Sequence, residues 1–288
     1  MGVGLNILFA ASGSRRGSWI IRGEQIAEAM GAKAVLNPKP ADIAWADIVV
    51  AVKRLDHSIA RDVHKTGKIL VLDILDGWEQ PKQCQMPRHE ALEWIMQHIA
   101  SYRPHGIVCA TEAMQEDCVP SKVQSLFLDH HGRPSPPNPI REHVKIVGYE
   151  GSERYLDGWR DTIEDECKRR GWKFVVNPPG GLASIDIALA LRGGKWDGYP
   201  SRNWKSGVKV ENARISGTPI IALPERGAIE GGRYGVLWVN SPEDIQDAFA
   251  RLVSQEERKA SSIDLRATAL DFEYLIESYQ KWLRSLQE

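Results

Sequence analysis

Residues 204–222 read WKSGVKVENARISGTPIIA. The Ser-Gly pair near the start of this stretch predicts a turn that opens a helix over Val208–Ser216. Gly217 ends the helix, and the apolar run that follows predicts a buried strand over Pro219–Leu223. A helix that leads at once into a buried strand is half of the repeating unit of a parallel α/β sheet.

The same alternation continues in both directions along the chain. In the first half the predicted strands are Leu5–Ala11, Ala34–Leu36, Ile48–Val52, Lys68–Leu75, Gly106–Ala110 and Val123–Leu128. The predicted helices between them are Trp19–Met30, His57–Lys65, Glu90–Ala100 and Glu112–Asp117. The alternation restarts with strands Val144–Tyr149, Trp172–Val176, Ile185–Leu191 and Gly235–Val239, and with helices Leu156–Gly171 and Pro242–Ser254. Strict alternation predicts parallel strands joined by crossover helices, which is a doubly wound α/β sheet.

A proline-rich segment separates the two halves. Residues 132–139, GRPSPPNP, hold four prolines in eight positions. Proline lacks an amide hydrogen and resists helix interiors and central strands, so this segment predicts an interdomain hinge. The sequence therefore predicts two doubly wound α/β domains joined by this hinge. The predicted parts are an N-terminal domain at 1–131, the hinge at 132–143, a C-terminal domain at 144–268 and a final helix at 269–288 that crosses back towards the N-terminal domain.

The composition excludes several broad classes of protein. The 37 basic and 38 acidic residues give a net charge of −1, which excludes a uniformly basic nucleic-acid coat protein. The four cysteines form no C-x-x-C pair, which argues against a zinc ribbon and suits a reducing compartment. No apolar stretch approaches the length of a transmembrane helix, and the first apolar run lacks the flanks of a signal peptide. These patterns predict a cytoplasmic protein with no membrane span, and they leave its oligomeric state open.

The helix that begins at Val208 is a candidate anion site. Free amide groups at a helix N-terminus, together with the helix dipole, favour a phosphate group. Ser206 adds a hydroxyl there, Lys209 adds a positive charge, and Asn212 lies on the same face of the helix. The competing interpretation is an ordinary capped crossover helix with a solvated lysine.

Three features around this helix belong together: the pattern K-x-x-N-A-x-x-x-G-T-P-I-I at 209–221, Glu230, and the run GVLWV at 235–239. They resemble the donor-binding half of GT-B glycosyltransferases, and most closely the retaining, nucleotide-sugar-dependent group in a compact, phage-type form. The resemblance implies two Rossmann-like doubly wound domains that face each other across a cleft. It also implies that a nucleoside diphosphate sugar, in the first place a UDP-sugar, lies in that cleft and is held mainly by the C-terminal domain. It implies no further cofactor and no metal, and the absence of a D-x-D motif agrees with that.

The resemblance also implies roles for residues of the C-terminal domain. In the family a glutamate of this helix binds the donor ribose; Asn212 stands at that position here and Glu211 one residue before it, so the two are rivals. The basic residue that holds the diphosphate matches Lys209, and Arg192 is a second candidate; both would assist departure of the leaving group. Glu230 matches the glutamate beyond the Gly-x-Pro strand and is expected to contact the donor.

The loop after the first strand lies at the edge of the sheet where doubly wound domains bind ligands. Gly13 in this loop, like Ser206 in the other domain, is expected to approach the donor closely. Arg15 and Arg16 are candidates to meet an acidic acceptor. The alternative is a flexible surface turn with solvated arginines.

Two further groups end strands of the N-terminal domain. Asp76 follows the strand Lys68–Leu75 and is a candidate catalytic base, with a loop cap as the alternative. His130 and His131 end the last N-terminal strand and are candidate acceptor contacts. Nothing else in the sequence is spaced to make a zinc site with them.

The leading hypothesis is a glycosyltransferase that moves a sugar from a nucleoside diphosphate sugar to an acceptor hydroxyl. A modified DNA base is one acceptor that a compact enzyme would suit, and Arg15, Arg16, Arg22, Lys53 and Arg54 would then contact phosphates. The nearly balanced charge of the N-terminal half gives this acceptor no electrostatic support. The alternatives are a sugar-nucleotide epimerase or hydrolase of the same fold, and a non-catalytic two-domain protein that closes on a small ligand.

Overall fold

The computed structural model describes residues 5–15, 17–77, 85–232 and 234–288. Within them the chain forms two parallel β-sheets, one of six strands and one of five, in alternation with helices. The α/β class and the two doubly wound sheets predicted from the sequence are confirmed.

The N-terminal sheet has the order β2-β1-β3-β4-β5-β6, and all of its strand pairs are parallel. Its strands are β1 (Ile7–Ala11), β2 (Lys33–Leu36), β3 (Ile48–Val52), β4 (Ile69–Asp73), β5 (Gly106–Cys109) and β6 (Gln124–Phe127). The helices are α1 (Gly17–Trp19), α2 (Ile26–Met30), α3 (Pro40–Trp45), α4 (His57–Lys65), α5 (Arg88–Tyr102) and α6 (Glu112–Cys118). A π-helical segment, Ile20–Gln25, joins α1 to α2.

The C-terminal sheet has the order β11-β10-β9-β7-β8, and it too is parallel. Its strands are β7 (Ile146–Tyr149), β8 (Lys173–Val176), β9 (Ile187–Ala190), β10 (Ile220–Ala222) and β11 (Val236–Trp238). The helices are α7 (Arg160–Arg169), α8 (Tyr199–Asn203), α9 (Val208–Ser216), α10 (Arg226–Glu230), α11 (Asp244–Leu252), α12 (Gln255–Ala267) and α13 (Phe272–Ser285). None of the helices in the described part of the chain is long and apolar enough to cross a membrane.

Both faces of the N-terminal sheet are covered. Alternate residues of β3 belong to two different cores: Val49 and Ala51 pack on one face of the sheet, and Ile48, Val50 and Val52 pack on the other. A strand that is buried on both faces has no polar side, which is why it reads as a continuous apolar run.

The last helix, α13, packs on the N-terminal domain. Tyr279, Trp282 and Leu283 are buried in the same core as Phe9, and the rings of Tyr279 and Phe9 meet edge to face with centroids 6.1 Å apart. A Cβ atom on Gly106, in β5, would lie 2.8 Å from the ring of Trp282. The helix can therefore lie this close to the sheet only where the strand carries a glycine.

Four helices did not show in the sequence pattern, namely α3, α8, α10 and α12. The first three have six, five and five residues, too few for an apolar period to appear. In α12 the buried side chains include Arg258, Ser261 and Ser262, so its inner face does not read as apolar. Because α10 forms, Glu230 ends a helix rather than lying in a loop.

The two domains repeat one local sequence. Residues 31–38 read GAKAVLNP and residues 171–178 read GWKFVVNP, which share the pattern G-x-K-x-V-x-N-P. Gly31 and Gly171 both follow a helix and have φ of 64° and 70°, in the left-handed region where glycine is favoured. Each then leads into the second strand of its domain.

The asparagines of the two repeats make the same clamp. Asn37 accepts the amide hydrogen of Gly13 at 2.8 Å and donates to its carbonyl oxygen at 3.1 Å. Asn177 does the same to Gly151, at 2.8 and 3.0 Å. The loop after the first strand is thus held by the end of the second strand in each domain. The strand order, β2-β1-β3-β4 and β8-β7-β9-β10, is also the same.

A buried ion pair fixes the carboxyl end of β4. Arg22, in the π-helical segment, donates from Nε and Nη2 to the two carboxylate oxygens of Asp73, at 3.0 and 3.3 Å. Its Nη1 donates to the carbonyl oxygens of Leu128 and Asp129 at 3.1 and 3.0 Å. Both side chains of the pair are essentially inaccessible to solvent. A buried charge is stable only when it is paired and hydrogen-bonded, and these four bonds meet that need.

We expect Arg22→Met to lower the free energy of unfolding by about 3–5 kcal/mol, because it leaves the Asp73 carboxylate buried without its partner. Urea denaturation followed by fluorescence measures the change. Arg15→Met is the matched control, since Arg15 pairs with Glu24 at 2.6 Å on the surface and should shift the transition little. Equal small shifts for both variants would contradict the assignment of Arg22 as a structural anchor.

Candidate functional site

A cleft of about 370 Å³ lies between the two domains, at the carboxyl ends of the strands. In an open parallel sheet this is the edge where ligands bind. From the N-terminal domain the charged or polar lining side chains are Ser18, Lys53, Asp76 and His130. From the C-terminal domain and the hinge they are Arg133, Glu150, Tyr155, Asn177, Arg192, Lys205, Ser206, Lys209, Asn212 and Glu225. Among these described residues cationic groups outnumber carboxylates, so the cleft favours an anion.

Each domain contributes one equivalent ion pair to the cleft. Lys53, just after the third strand of its domain, pairs with Asp76 at 2.8 Å. Arg192, just after the third strand of the other domain, pairs with Glu225 at 2.9 Å. In both pairs the carboxylate follows the fourth strand of the same domain. The repeat seen in the fold therefore extends to the charged groups of the cleft.

Lys209 lies in the first turn of α9 and is partly buried. Its Nζ donates to the Tyr149 hydroxyl at 2.6 Å and lies 3.9 Å from the centroid of that ring. Burial and the nearby Arg192 guanidinium lower the pKa of Lys209 to about 7. Near neutral pH this amine therefore exchanges readily between its charged and neutral forms. An anion beside it would favour the charged form.

Asp76 is held by groups from both domains. Besides Lys53, its Oδ1 accepts from the backbone amide and the hydroxyl of Ser206, each at 3.2 Å, and Lys205 Nζ lies 3.9 Å from its Oδ2. Burial alone raises its pKa, but the ammonium groups of Lys205 and Lys53 hold the pKa well below the usual value. The carboxylate is therefore ionised throughout the physiological range.

Asn212 lines the cleft and holds the hinge in place. Its Oδ1 accepts the backbone amide hydrogen of Arg133 at 2.8 Å, and its Nδ2 donates to Glu150 at 3.1 Å. Glu150 directly follows β7, so Asn212 also orients a carboxylate that faces the cleft.

Glu211, the rival of Asn212 for the ribose, points away from the cleft. It is buried, pairs with Arg214 at 3.1 Å and accepts the amide hydrogen of Leu270 at 2.8 Å. Glu230 also lies outside the cleft, where it accepts the amide hydrogen of Glu112 at 2.9 Å. Both glutamates therefore connect elements of the fold to each other.

Gly13, expected to approach the donor, and Arg15, expected to meet the acceptor, do not line the cleft. Gly13 lines a neighbouring cavity of about 460 Å³ in the N-terminal domain, which Lys53 also lines. Arg15 lies on the surface, paired with Glu24, and Arg16 lies outside the described residues.

The two adjacent histidines face different cavities. His130 lines the cleft, and burial together with the Arg22 charge lowers its pKa to about 3, so its ring stays neutral. His131 lines a separate cavity beside the hinge, where its Nε2 lies 3.1 Å from Oε1 of Gln25 and its ring meets that of Phe272. Only the first of the pair therefore faces the cleft.

The structure adds residues that the sequence analysis did not name. Tyr149, Glu150, Lys205 and Glu225 all lie in or against the cleft. Glu150 and Glu225 could have been found, because each follows a predicted strand in the same way as Asp76. Tyr149 ends a strand and carried no signal of its own.

The arginines and lysine considered for contacts with DNA do not form one exposed surface. Arg22 is fully buried, Lys53 pairs with Asp76 inside the cleft, and Arg15 pairs with Glu24. Within the described ranges no three His, Cys, Asp or Glu side chains are grouped to hold a metal ion.

Neither protein-family models nor curated proteins match the sequence. Solved structures do resemble the fold. HepE from Anabaena, solved in complex with UDP-glucose, has a TM-score of 0.68 and 12% sequence identity, with 98% of this chain and 100% of HepE covered. AviGT4, a glycosyltransferase involved in avilamycin A biosynthesis, has a TM-score of 0.54 and 12% identity, with 99% and 98% covered. MurG from Acinetobacter baumannii has a TM-score of 0.50 and 8% identity, with 96% and 99% covered. The chain therefore has the GT-B glycosyltransferase fold.

The pKa of Lys209 can be tested directly. We expect NMR of protein labelled in its lysine side chains to show one resonance that titrates near pH 7 and is missing in Lys209→Met. Exposed lysines ordinarily titrate at about 10.4 and serve as the internal reference. A Lys209 midpoint near that reference value would show that the amine is not packed against Tyr149 or subject to the Arg192 charge as described.

Proposed function

We propose that this chain is a glycosyltransferase that transfers a sugar from a UDP-sugar to an acceptor hydroxyl. The observation that carries the proposal is the grouping of Lys53, Lys205, Lys209 and Arg192 around one cleft of a GT-B fold. A diphosphate is the part of the donor that needs such a group of positive charges. The UDP moiety is proposed because HepE, which has the same fold, was solved with UDP-glucose.

The cleft supplies what the leaving group of this reaction needs. Glycosyl transfer passes through an oxocarbenium-like state while negative charge grows on the departing diphosphate. Lys209, Arg192 and the free amides at the start of α9 are positioned to stabilise that charge as it develops. Glu225 keeps Arg192 in place through their 2.9 Å pair.

We further propose that Glu150, oriented by Asn212, takes the ribose. The resemblance places the ribose-binding carboxylate on the helix. Here the carboxylate belongs to Glu150, after β7, and accepts a hydrogen bond from Asn212 of α9 at 3.1 Å. Tyr155 also lines the cleft, with its ring perpendicular to that of Trp196 at 5.0 Å and the Arg192 guanidinium 5.3 Å from its centroid, and we propose it as a contact for the donor base.

The acceptor is expected on the N-terminal side of the cleft. Asp76 and His130 face it there, and the cavity that contains Gly13 adjoins it through Lys53. We propose a small hydroxylic acceptor, since the residues considered for DNA contacts do not share one exposed surface.

A reducing compartment such as the cytoplasm is part of the proposal. Cys109, Cys118 and Cys167 are buried thiols without a disulfide, and Cys118 lies within hydrogen-bond reach of Cys109. Two thiols that lie so near each other remain reduced most readily where glutathione and thioredoxin act.

Binding of UDP-glucose, measured by calorimetry, tests the donor site. We expect Lys209→Met to weaken binding at least about tenfold at pH 7, because an ammonium–phosphate contact is lost. Lys65→Met, on the exposed surface, is the matched control and should leave the affinity unchanged. If UDP-glucose and other nucleoside diphosphate sugars all fail to bind, the proposal is wrong. If they bind and no acceptor supports turnover, the two-domain binding protein becomes the better interpretation.

The affinity should also depend on pH. A diphosphate raises the pKa of Lys209 above its value of about 7 in the free protein, so the complex holds this proton more tightly. The contribution is therefore complete below pH 7 and declines as the pH rises above it. UDP-glucose is the right probe, since its diphosphate is esterified at both ends and does not titrate in this range. An equally steep decline in Lys209→Met would assign the pH dependence to another group.

We propose that the reaction needs no divalent metal, because four cationic side chains already surround the position of the diphosphate. Activity in the presence of excess EDTA is expected to equal activity without it. A loss that is restored by added Mg²⁺ or Mn²⁺ would show that the side chains do not suffice.

A further inference from the structure

The carboxylate of Asp76 lies in a site built by both domains. Lys53 Nζ, 2.8 Å away, belongs to the N-terminal domain. The amide and hydroxyl of Ser206, each at 3.2 Å, and Lys205 Nζ, at 3.9 Å, belong to the C-terminal domain. Two ammonium groups, one amide and one hydroxyl therefore surround a single anionic group.

This set of donors matches the needs of a phosphate oxygen as well as those of a carboxylate. Both are bound by ammonium groups and by backbone amides that point to one place. The site also continues into the Lys209 and Arg192 region: the Lys205 charge acts on Lys209, and the Asp76 charge acts on Arg192. All of these groups line the same cleft.

We propose that Lys53, Lys205 and Ser206 form a second phosphate site for the donor, which Asp76 holds until the phosphate displaces it. This inference rests on the proposed function, because it assigns the second half of the diphosphate. Lys53 comes from the N-terminal domain, so the donor would be bound by both domains and not by the C-terminal domain alone.

An internal carboxylate has a clear physical use in such a site. Lys53 and Lys205 are 18% and 11% exposed, and two partly desolvated ammonium groups side by side would repel each other without an anion between them. Asp76 removes that repulsion. The apparent affinity for the donor is reduced, because the donor must first displace the carboxylate.

Displacement also changes Asp76 itself. When phosphate oxygens take over Lys53 and Lys205, the two charges that hold its pKa low are compensated. The carboxylate then becomes a better proton acceptor on the side of the cleft where the acceptor is expected. Donor binding would thus prepare Asp76, a candidate catalytic base because of its position after β4, to accept a proton.

The test measures binding of inorganic pyrophosphate and of UDP-glucose by calorimetry to the intact chain. We expect Asp76→Asn to bind both ligands about tenfold more tightly, because the competing charge is gone. Lys53→Met and Lys205→Met should bind both about tenfold more weakly. Asp62→Asn and Lys65→Met, an exposed pair at 3.2 Å, are charge-matched controls and should not change either affinity.

Several outcomes would overturn the inference. If Asp76→Asn binds pyrophosphate no more tightly than the unmodified chain, Asp76 does not compete for the site. If both lysine variants bind as the unmodified chain does, the site is not a phosphate site. The lysine variants decide the matter even if Asp76→Asn fails to fold, which its thermal unfolding curve would show.

The two probes separate this inference from the proposed function. UDP-glucose binding that depends on Lys209 but not on Lys53, Lys205 or Asp76 would leave the donor site standing and remove the second phosphate site. The expected changes with pyrophosphate, without any binding of UDP-glucose, would leave the phosphate site standing and remove the proposed donor.

Discussion

The buried pair of Arg22 and Asp73 is the contact on which the geometry of the cleft depends. One guanidinium binds the last residue of β4 and also the backbone carbonyls of residues 128 and 129, where the chain leaves β6 for the hinge. Asp76 stands three residues beyond the first anchor, and His130 one residue beyond the last. A single ion pair therefore lies next in the chain to two of the N-terminal groups that line the cleft. The π-helical segment around Arg22 aims its side chain at the sheet, and such segments often occur beside functional sites.

The internal repeat explains why the cleft is lined twice by similar charges. Both domains have the same order of their first four strands, the same glycine–asparagine clamp and a cationic side chain after the third strand. Two such domains that face each other bring two ion pairs to one space, because the carboxyl ends of their strands meet there. The two copies differ in the length of their side chains. Lys53 and Asp76 have shorter side chains than Arg192 and Glu225. The N-terminal copy also reaches the partner domain through Ser206.

The fold was largely readable from the sequence, since strands buried on both faces are continuous apolar runs bounded by turns. The site was readable in part. Lys209 and Asn212 lie together because a helix places residues three apart on one face, and Ser206 comes just before that helix. Arg192 and Asp76 join them because each follows the carboxyl end of a parallel strand. Glu211 shows what the sequence could not predict. It neighbours Asn212 in sequence, but a step of one residue turns about 100° around a helix. Only the packing of α9 decides which of the two side chains faces the cleft. The π-helical turn and the link from Asp76 to Ser206 depend on tertiary contacts that no local pattern encodes.

Most of the cations of the cleft already have a carboxylate partner within the protein, and this shapes which ligands the cleft can select. Lys53 and Lys205 are compensated by Asp76, and Arg192 by Glu225, while Lys209 rests on a neutral tyrosine. An anion that binds therefore takes the place of a carboxylate and changes the net charge around the cations little. Its binding is favourable only where it carries more negative charge than the carboxylate that it displaces. Under the proposed second phosphate site, a monophosphate offers one phosphate group to the two sets of cations and a diphosphate offers two. The difference between the two ligands then comes from the number of phosphate groups as well as from the total charge. On this argument the same carboxylates that stabilise the cleft also make it discriminate.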